Sequence, residues 1–322
     1  MKKLFTFLSV FLLVIFSAGT SLAQFNDLAN THPNYVAITY LNEEGVINGY
    51  PDNTYQPEKL VNRVEALKVI LEGNSIEIND PESTNFTDVN LADWFTKYIE
   101  TAKGLGIVEG NPDGSFAPGR DVIKAEFLKM LLMTNHFKKE KWEAMSLFND
   151  IPENEWYTPY MNYAGQAGLI MKDEDGNLNP AEKLNRGEVA EIMYLMTVIL
   201  HADDTQFLVN QAERQMAQID LYIDSNNPSA AKRAAELAVD MTQQAYKNLP
   251  EDSVVIGAAK IARAYDFVMN AFISAVAGDD EAAKDWANQA KEKADEAIAV
   301  NQDVKTLAEH VKNRADEILS QL

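Results

Sequence analysis

Residues 110–127 read GNPDGSFAPGRDVIKAEF: a turn, then a proline, then a basic residue two places before a glutamate. The same sentence occurs at 49–66 as GYPDNTYQPEKLVNRVEA and at 172–189 as KDEDGNLNPAEKLNRGEV. Aligning the copies on Phe25, Phe86 and Phe148 gives steps of 61 and 62 residues, with no gap inside any unit of about fifty residues. Phe25/Phe86/Phe148, Asp27/Asp88/Asp150, Gly45/Gly106/Gly168, Asp52/Asp113/Asp175, Pro57/Pro118/Pro180 and Glu65/Glu126/Glu188 are identical in all three. Repetition at this period means a small unit that buries its apolar face against its siblings.

Each unit spells out its own secondary structure. After "FND" or "FTD" the apolar residues fall at helical spacing, Ile38 with Leu41 and Trp94 with Tyr98 and Ala102, and the run ends on the shared glycine, which suits a left-handed helix stop. The Asp-Gly or Asp-Asn turn tolerates positive φ, and the following proline cannot continue a strand or helix interior. A second apolar stripe then begins: Val64, Leu67, Ile70 and Leu71; Phe127, Met130 and Leu131; Val189, Ile192 and Met193. The pattern predicts three helix-loop-helix modules over 25–72, 86–133 and 148–196, inside a unit of 24–201.

On either side the vocabulary differs. Residues 1–23 carry Lys2 and Lys3, an apolar run from Leu4 to Phe16 and a small-residue end at Ala23, which reads as a secretory signal peptide. From 202 to 322 alanine-rich stripes replace the turns. Five helices are expected there, with starts at "SNNPSA", "NLPEDS", "AGDDEA" and "VNQD" where Asn, Asp or Ser can cap them, and the stripe from Val254 to Ala275 is apolar enough to be central. Short breaks between long helices predict an antiparallel helical bundle, so the fold class is mainly α.

The chain has no cysteine, which removes disulfides and thiolate metal sites. Its net charge of −21 makes nucleic acid an unfavourable partner. The histidines His32, His136, His201 and His310 are scattered without metal-ligand spacing. Gly104–Gly110 has the wrong spacing for a dinucleotide loop, and the oxygen-rich Asp173, Asp175 and Asn177 are followed by Leu178 where a calcium loop needs glycine. No nucleophile elbow occurs. No cofactor, no metal and no enzymatic activity are expected, although the abundant carboxylates leave an acid–base pair in the bundle open.

Taken in order, Phe-x-Asp, the aromatic ahead of the first helix, "GI..G", "DG.F.P" and the basic-x-Glu pair resemble the S-layer homology (SLH) family of bacterial surface proteins over residues 25 to about 196. The resemblance implies that the three modules pack as one pseudo-threefold unit and bind secondary cell-wall polysaccharide, often pyruvylated, without a covalent bond. It implies a secreted protein associated with the cell wall or S-layer. The family's basic position is matched by Arg63, Lys124 and Arg186; lysine offers a point charge where arginine offers a planar fork. Its tryptophan is matched by Trp94 and Trp156, with Pro33 in the first copy and Tyr35 two residues on. Asp27, Asp88 and Asp150 are all present, suited either to bracing the fold or to accepting glycan hydroxyls. Gly49 and Gly110 match the second family glycine, where the third copy has Lys172. The motif glutamates suit helix capping.

Residues 24–201 hold 14 basic and 28 acidic side chains, so an anionic polymer feels attraction only within a Debye length, roughly 8 Å, of a local cation. The expected function is therefore non-covalent anchoring through Arg63, Arg186 and Lys124, with the bundle displayed as an interaction or spacer domain, through which a surface-protein partner or self-assembly is conceivable. Two other readings stay open: a tethered hydrolase or ligand receptor in the bundle, and an S-layer lattice subunit.

Overall fold

The computed structural model describes residues 25–142 and 146–322, so the expected leader lies outside the described residues. The chain divides into two compact units, Phe25–Leu200 and His201–Leu322.

Among the described residues the first unit contains six α-helices: α1 Tyr35–Glu43, α2 Arg63–Gly73, α3 Thr96–Gly104, α4 Lys124–Thr134, α5 Thr158–Gln166 and α6 Arg186–Leu200. They form three helix-loop-helix modules. The first helix of each stops where Gly45, Gly106 and Gly168 adopt φ of +73°, +72° and +73°, a conformation that costs a residue with a Cβ about 1 kcal/mol or more. The third module departs from the others at its end, because α6 runs on to Leu200, past the expected limit of 196. In α2 and α4 the amide groups of Asn74 and Asn135 cap the last turn by donating to Ile70 O and Leu131 O. The aligned residue is Thr197, whose hydroxyl donates to Met193 O inside the helix and leaves the chain free to continue.

The modules close on one another around a pseudo-threefold centre. Val61 N–H donates to Leu184 O (3.0 Å), Leu184 N–H to Val122 O (3.2 Å), and Val122 N–H to Val61 O (2.9 Å), a cyclic trio of backbone bonds with all three side chains buried. Single bridges at Leu60–Asn185, Asn62–Asp121 and Ile123–Lys183 surround it. An interior of this kind satisfies its backbone groups without a sheet. The helices follow the same cycle: α2 packs on α3, α4 on α5, and α6 on α1, where Tyr40 meets Tyr194 edge-on at 5.4 Å.

The second unit contains the five expected helices: α7 Thr205–Asp224, α8 Pro228–Asn248, α9 Ser253–Val276, α10 Asp280–Val300 and α11 Lys305–Leu319. Asp204, Asn227, Asp252 and Asp279 accept from first-turn N–H groups of α7, α8, α9 and α10, as the breaks in the sequence require. Each helix packs on the next, and α9 is central, touching α7, α8, α10 and α11. Its neighbours present alanines to it and to each other: Ala231, Ala235, Ala238 and Ala245 on α8, and Ala283, Ala287, Ala290 and Ala294 on α10, all buried. Small side chains let helix axes approach closely. Asp266 of α9, buried, is held by Lys232 of α8 (2.6 Å) and Arg263 (3.1 Å).

Candidate functional site: the three module junctions

The second helix of each module starts against the proline loop of the next. Arg63 and Val64 donate their N–H groups to Arg120 O and Pro118 O, Lys124 and Ala125 to Glu182 O and Pro180 O, and Arg186 and Gly187 to Lys59 O and Pro57 O. The first N–H groups of a helix have no partner within it, so each module completes its neighbour's helix start. The motif cation, first residue of the helix, is thereby set against the neighbouring loop. Three junctions result, and the sequence fills them differently.

At the first junction Arg63 is only 8% exposed and lies over the Phe116 ring at 4.8 Å. Its Nη1 pairs with Glu126 Oε1 at 2.9 Å, and Arg120 Nη2 meets the same oxygen at 2.6 Å. Burial pulls the Arg63 guanidinium below its usual range, against the opposing pull of Glu126. The cause of this pairing is local. Asn62 and Asn185 make reciprocal capping boxes with Glu65 and Glu188, but the aligned Ile123 has no side-chain acceptor. Glu126, released from capping, turns to the two arginines.

At the second junction Lys124 donates to Leu178 O (3.0 Å) and pairs with Glu182 (2.5 Å), and a leucine stands where the other copies have an aromatic ring.

At the third junction Arg186 lies over the rings of Tyr55 (4.4 Å) and Tyr50 (5.0 Å). Its Nε donates to Tyr55 O (2.7 Å) and its Nη2 to Asn48 O (3.0 Å), so both anchoring bonds go to neutral carbonyls. Lys59 donates to the Tyr50 hydroxyl (3.0 Å), and that bond, the Tyr50 charge and, more weakly, the Glu65 carboxylate hold its pKa above the usual range. Burial pushes the Tyr55 phenol up to about 12, opposed by Arg186. Among the described residues neither Arg186 nor Lys59 makes an ion pair.

The remaining expected site residues sit elsewhere. Both oxygens of Asp27 accept the N–H groups of Tyr55 and Gln56, those of Asp88 the N–H groups of Phe116 and Ala117, and those of Asp150 the N–H groups of Leu178 and Asn179, at 2.6–2.8 Å. The second residue of each pair, Gln56, Ala117 or Asn179, precedes the proline with φ of 56°, 60° or 55°. A non-glycine residue in that region stores strain, and the carboxylate clamp holds it there. The bracing role open to these aspartates in the sequence is the one the geometry gives them.

Gly49 and Gly110 lie under the Phe25 and Phe86 rings, where an added Cβ would stand 2.3 and 2.4 Å from a ring carbon. Their requirement is packing. In the third module Lys172 replaces this glycine and Phe148 instead closes on Gly165, where a Cβ would stand 2.4 Å away.

Trp94 and Trp156 are 56% and 48% exposed, unusual for the residue type. The structure records no contact between either ring and the motif cation of its junction. Trp156 lies 5.8 Å from Lys129 Nζ, more than a turn along α4 from Lys124. Tyr98, one turn past Trp94, bonds Glu72 at the opposite end of α2 from Arg63. Trp94 itself lines an open depression of about 330 Å³ with Asp80, Leu91, Asp93 and Lys97.

Sequence reading overlooked Lys59, Arg120 and Glu182, which occupy one aligned column, 34 residues after each phenylalanine. It also overlooked Tyr50. The column was visible, but its proximity to the motif cation of another module was not.

The S-layer homology domain model matches residues 24–67, 85–128 and 147–190, coincident with the three modules. The cellulosome-anchoring protein of Acetivibrio thermocellus is 32% identical over 179 residues, covering 52% of this chain and 38% of that protein. S-layer protein EA1 of Bacillus anthracis is 27% identical over 180 residues, 56% of this chain and 20% of its own length. The surface-layer 125 kDa protein of Lysinibacillus sphaericus is 30% identical over 178 residues, 53% of this chain and 15% of its own length. The chain thus covers well under half of each of these relatives. The matched segments, which coincide with the modules closed by the cyclic backbone trio, identify residues 24–190 of this chain as three S-layer homology domains.

Proposed function

We propose that this chain is a non-catalytic anchor whose three modules hold secondary cell-wall polysaccharide where they meet, at one junction or more, while the helical bundle is displayed as an interaction or spacer domain. S-layer homology domains and relatives that are S-layer and cellulosome-anchoring proteins make the chain a secreted, cell-wall-associated protein. The finer reading is supported by one observation: the cyclic packing sets a motif cation from each module against its neighbour's loop. A cation in a partly desolvated cleft attracts an anionic glycan that the acidic surface repels elsewhere. Exposed Trp94 and Trp156, farther along the same helix pairs, offer flat faces for the next sugars.

Cosedimentation of the full chain with native wall sacculi tests the reading. Binding is expected to native sacculi and to be lost after chemical removal of the acidic wall polymer. Equal binding to stripped peptidoglycan would refute it.

A further inference from the structure

Resting on that reading, we propose that the third junction, between α6 and the first module's loop, is the single polymer-selective cleft, and that Lys59 and Tyr50 act there with Arg186 to receive one anionic substituent of the glycan. The argument turns on two aligned columns. The first holds Lys59, Arg120 and Glu182; the second holds Glu65, Glu126 and Glu188. Around the cycle, the first column places Arg120 beside Arg63, Glu182 beside Lys124, and Lys59 beside Arg186, as the backbone bonds from each helix start require.

At the first junction two cations meet, but Glu126 is free of capping and binds both. The second junction opposes its one cation with Glu182. At the third junction two cations meet, and the glutamates that could neutralise them are engaged otherwise: Glu65 and Glu188 bond the backbone N–H of Asn62 and Asn185 in their capping boxes. Glu58, next to Lys59, is turned to His32 (3.1 Å) and to the Asn185 amide (3.2 Å). A ligand entering either of the first two clefts must displace an internal carboxylate. One entering the third meets no ion-paired carboxylate.

The chemistry of the third cleft also specifies the ligand. Arg186 is fixed through Nε and Nη2, which leaves Nη1 without a hydrogen bond among the described residues, and Lys59 is exposed with its ammonium held by the Tyr50 hydroxyl. A guanidinium edge beside an ammonium receives a compact oxyanion, a carboxylate or a phosphate, by charge-assisted hydrogen bonds. The Tyr50 ring lies 4.9 Å from the Lys59 ammonium and 5.0 Å from the Arg186 guanidinium, and so orients both cations.

Titration calorimetry of the full chain with four defined probes separates the possibilities: a hexoside bearing a 4,6-pyruvyl ketal, its neutral methyl ester, a hexoside 6-phosphate, and the unsubstituted hexoside. The expected result is one site per chain, with the ester and the unsubstituted hexoside at least tenfold weaker than one of the two anionic probes; which one is tighter decides between carboxylate and phosphate. Lys59→Gln, at an exposed side chain whose change leaves the fold intact, is expected to weaken binding about fivefold. Arg186→Lys is expected to weaken it more, and Arg120→Gln to leave it within twofold.

The proposal falls if Arg120→Gln costs as much as Lys59→Gln, if about three sites are filled, if the neutral ester binds as well as the acid, or if no anionic probe binds or displaces the chain from sacculi. It also falls if Lys59→Gln has no effect while the chain still sediments with native sacculi, and in that case the anchoring reading survives. Loss of sedimentation by the unaltered chain would instead remove the anchoring reading itself.

Discussion

Replacing Asp88 by alanine tests whether the repeated aspartate is a clamp. In the structure its two oxygens accept Phe116 N–H and Ala117 N–H, both at 2.7 Å, and Ala117 is held at φ 60° ahead of Pro118. Hydrogen bonds to a charged partner contribute about 1.5–3 kcal/mol each when buried. Phe116 N–H is partly buried and loses its partner outright, whereas Ala117 N–H lies at the surface and is recovered by water. One full bond and a fraction of the second give a loss of about 2–3 kcal/mol. Relaxation of the strained loop recovers about 1 kcal/mol of this but shifts the Pro118 carbonyl away from the start of α2, so little is regained. For a unit of this size each kcal/mol moves the melting temperature by roughly 2–4 °C, which predicts a fall of about 5–10 °C. Differential scanning calorimetry of the full chain reads it, the transition of residues 25–200 moving while that of 201–322 stays. A shift below about 2 °C would refute the clamp.

Four other outcomes follow from the same geometry. Ile123→Asn supplies the missing cap of α4 and recruits Glu126, so thermal stability should rise by about 1 kcal/mol and glycan stoichiometry in calorimetry should increase as Arg63 and Arg120 are released. Gly49→Ala drives a Cβ against Phe25 and should cost about 1–3 kcal/mol in denaturant melts. Asp266→Ala removes the buried partner of Lys232 and Arg263, but Lys232 keeps Glu236 and Asn270 and both cations reach solvent, so the cost should be about 1–3 kcal/mol, confined to the second unit's transition. Burial raises the Tyr55 and Tyr98 phenols to about 12, above the ordinary value of 10.0. The stability they contribute is therefore complete below about pH 10 and lost as pH rises toward 12, which alkaline melts with ultraviolet difference absorbance should follow.

Much of the architecture could be read without coordinates because the repeat is written in residues with few conformational choices. Gly45, Gly106 and Gly168 end helices at positive φ as expected, and each proline starts the loop that receives another module's helix. The capping residues of the second unit were legible for the same reason: Asp204, Asn227, Asp252 and Asp279 act on N–H groups two or three residues away. Local signals of this kind need no tertiary partner. The length of α6 was less legible, since Thr197 differs from Asn74 and Asn135 only in where its side chain can bond.

The candidate site divides along the same line. By itself the sequence determined that three cations stand in register, that each begins a helix, and that one of them is lysine. Only the tertiary structure decided what each cation faces, because the facing residue comes from another module, roughly 60 residues away or, for Arg186 and Lys59, more than twice that. That packing made Arg63 a buried partner of Glu126, tied Lys124 to Glu182, and left Arg186 and Lys59 side by side with no ion pair among the described residues. The charge of a cleft is a sum over elements distant in sequence, and no periodicity along the chain records it.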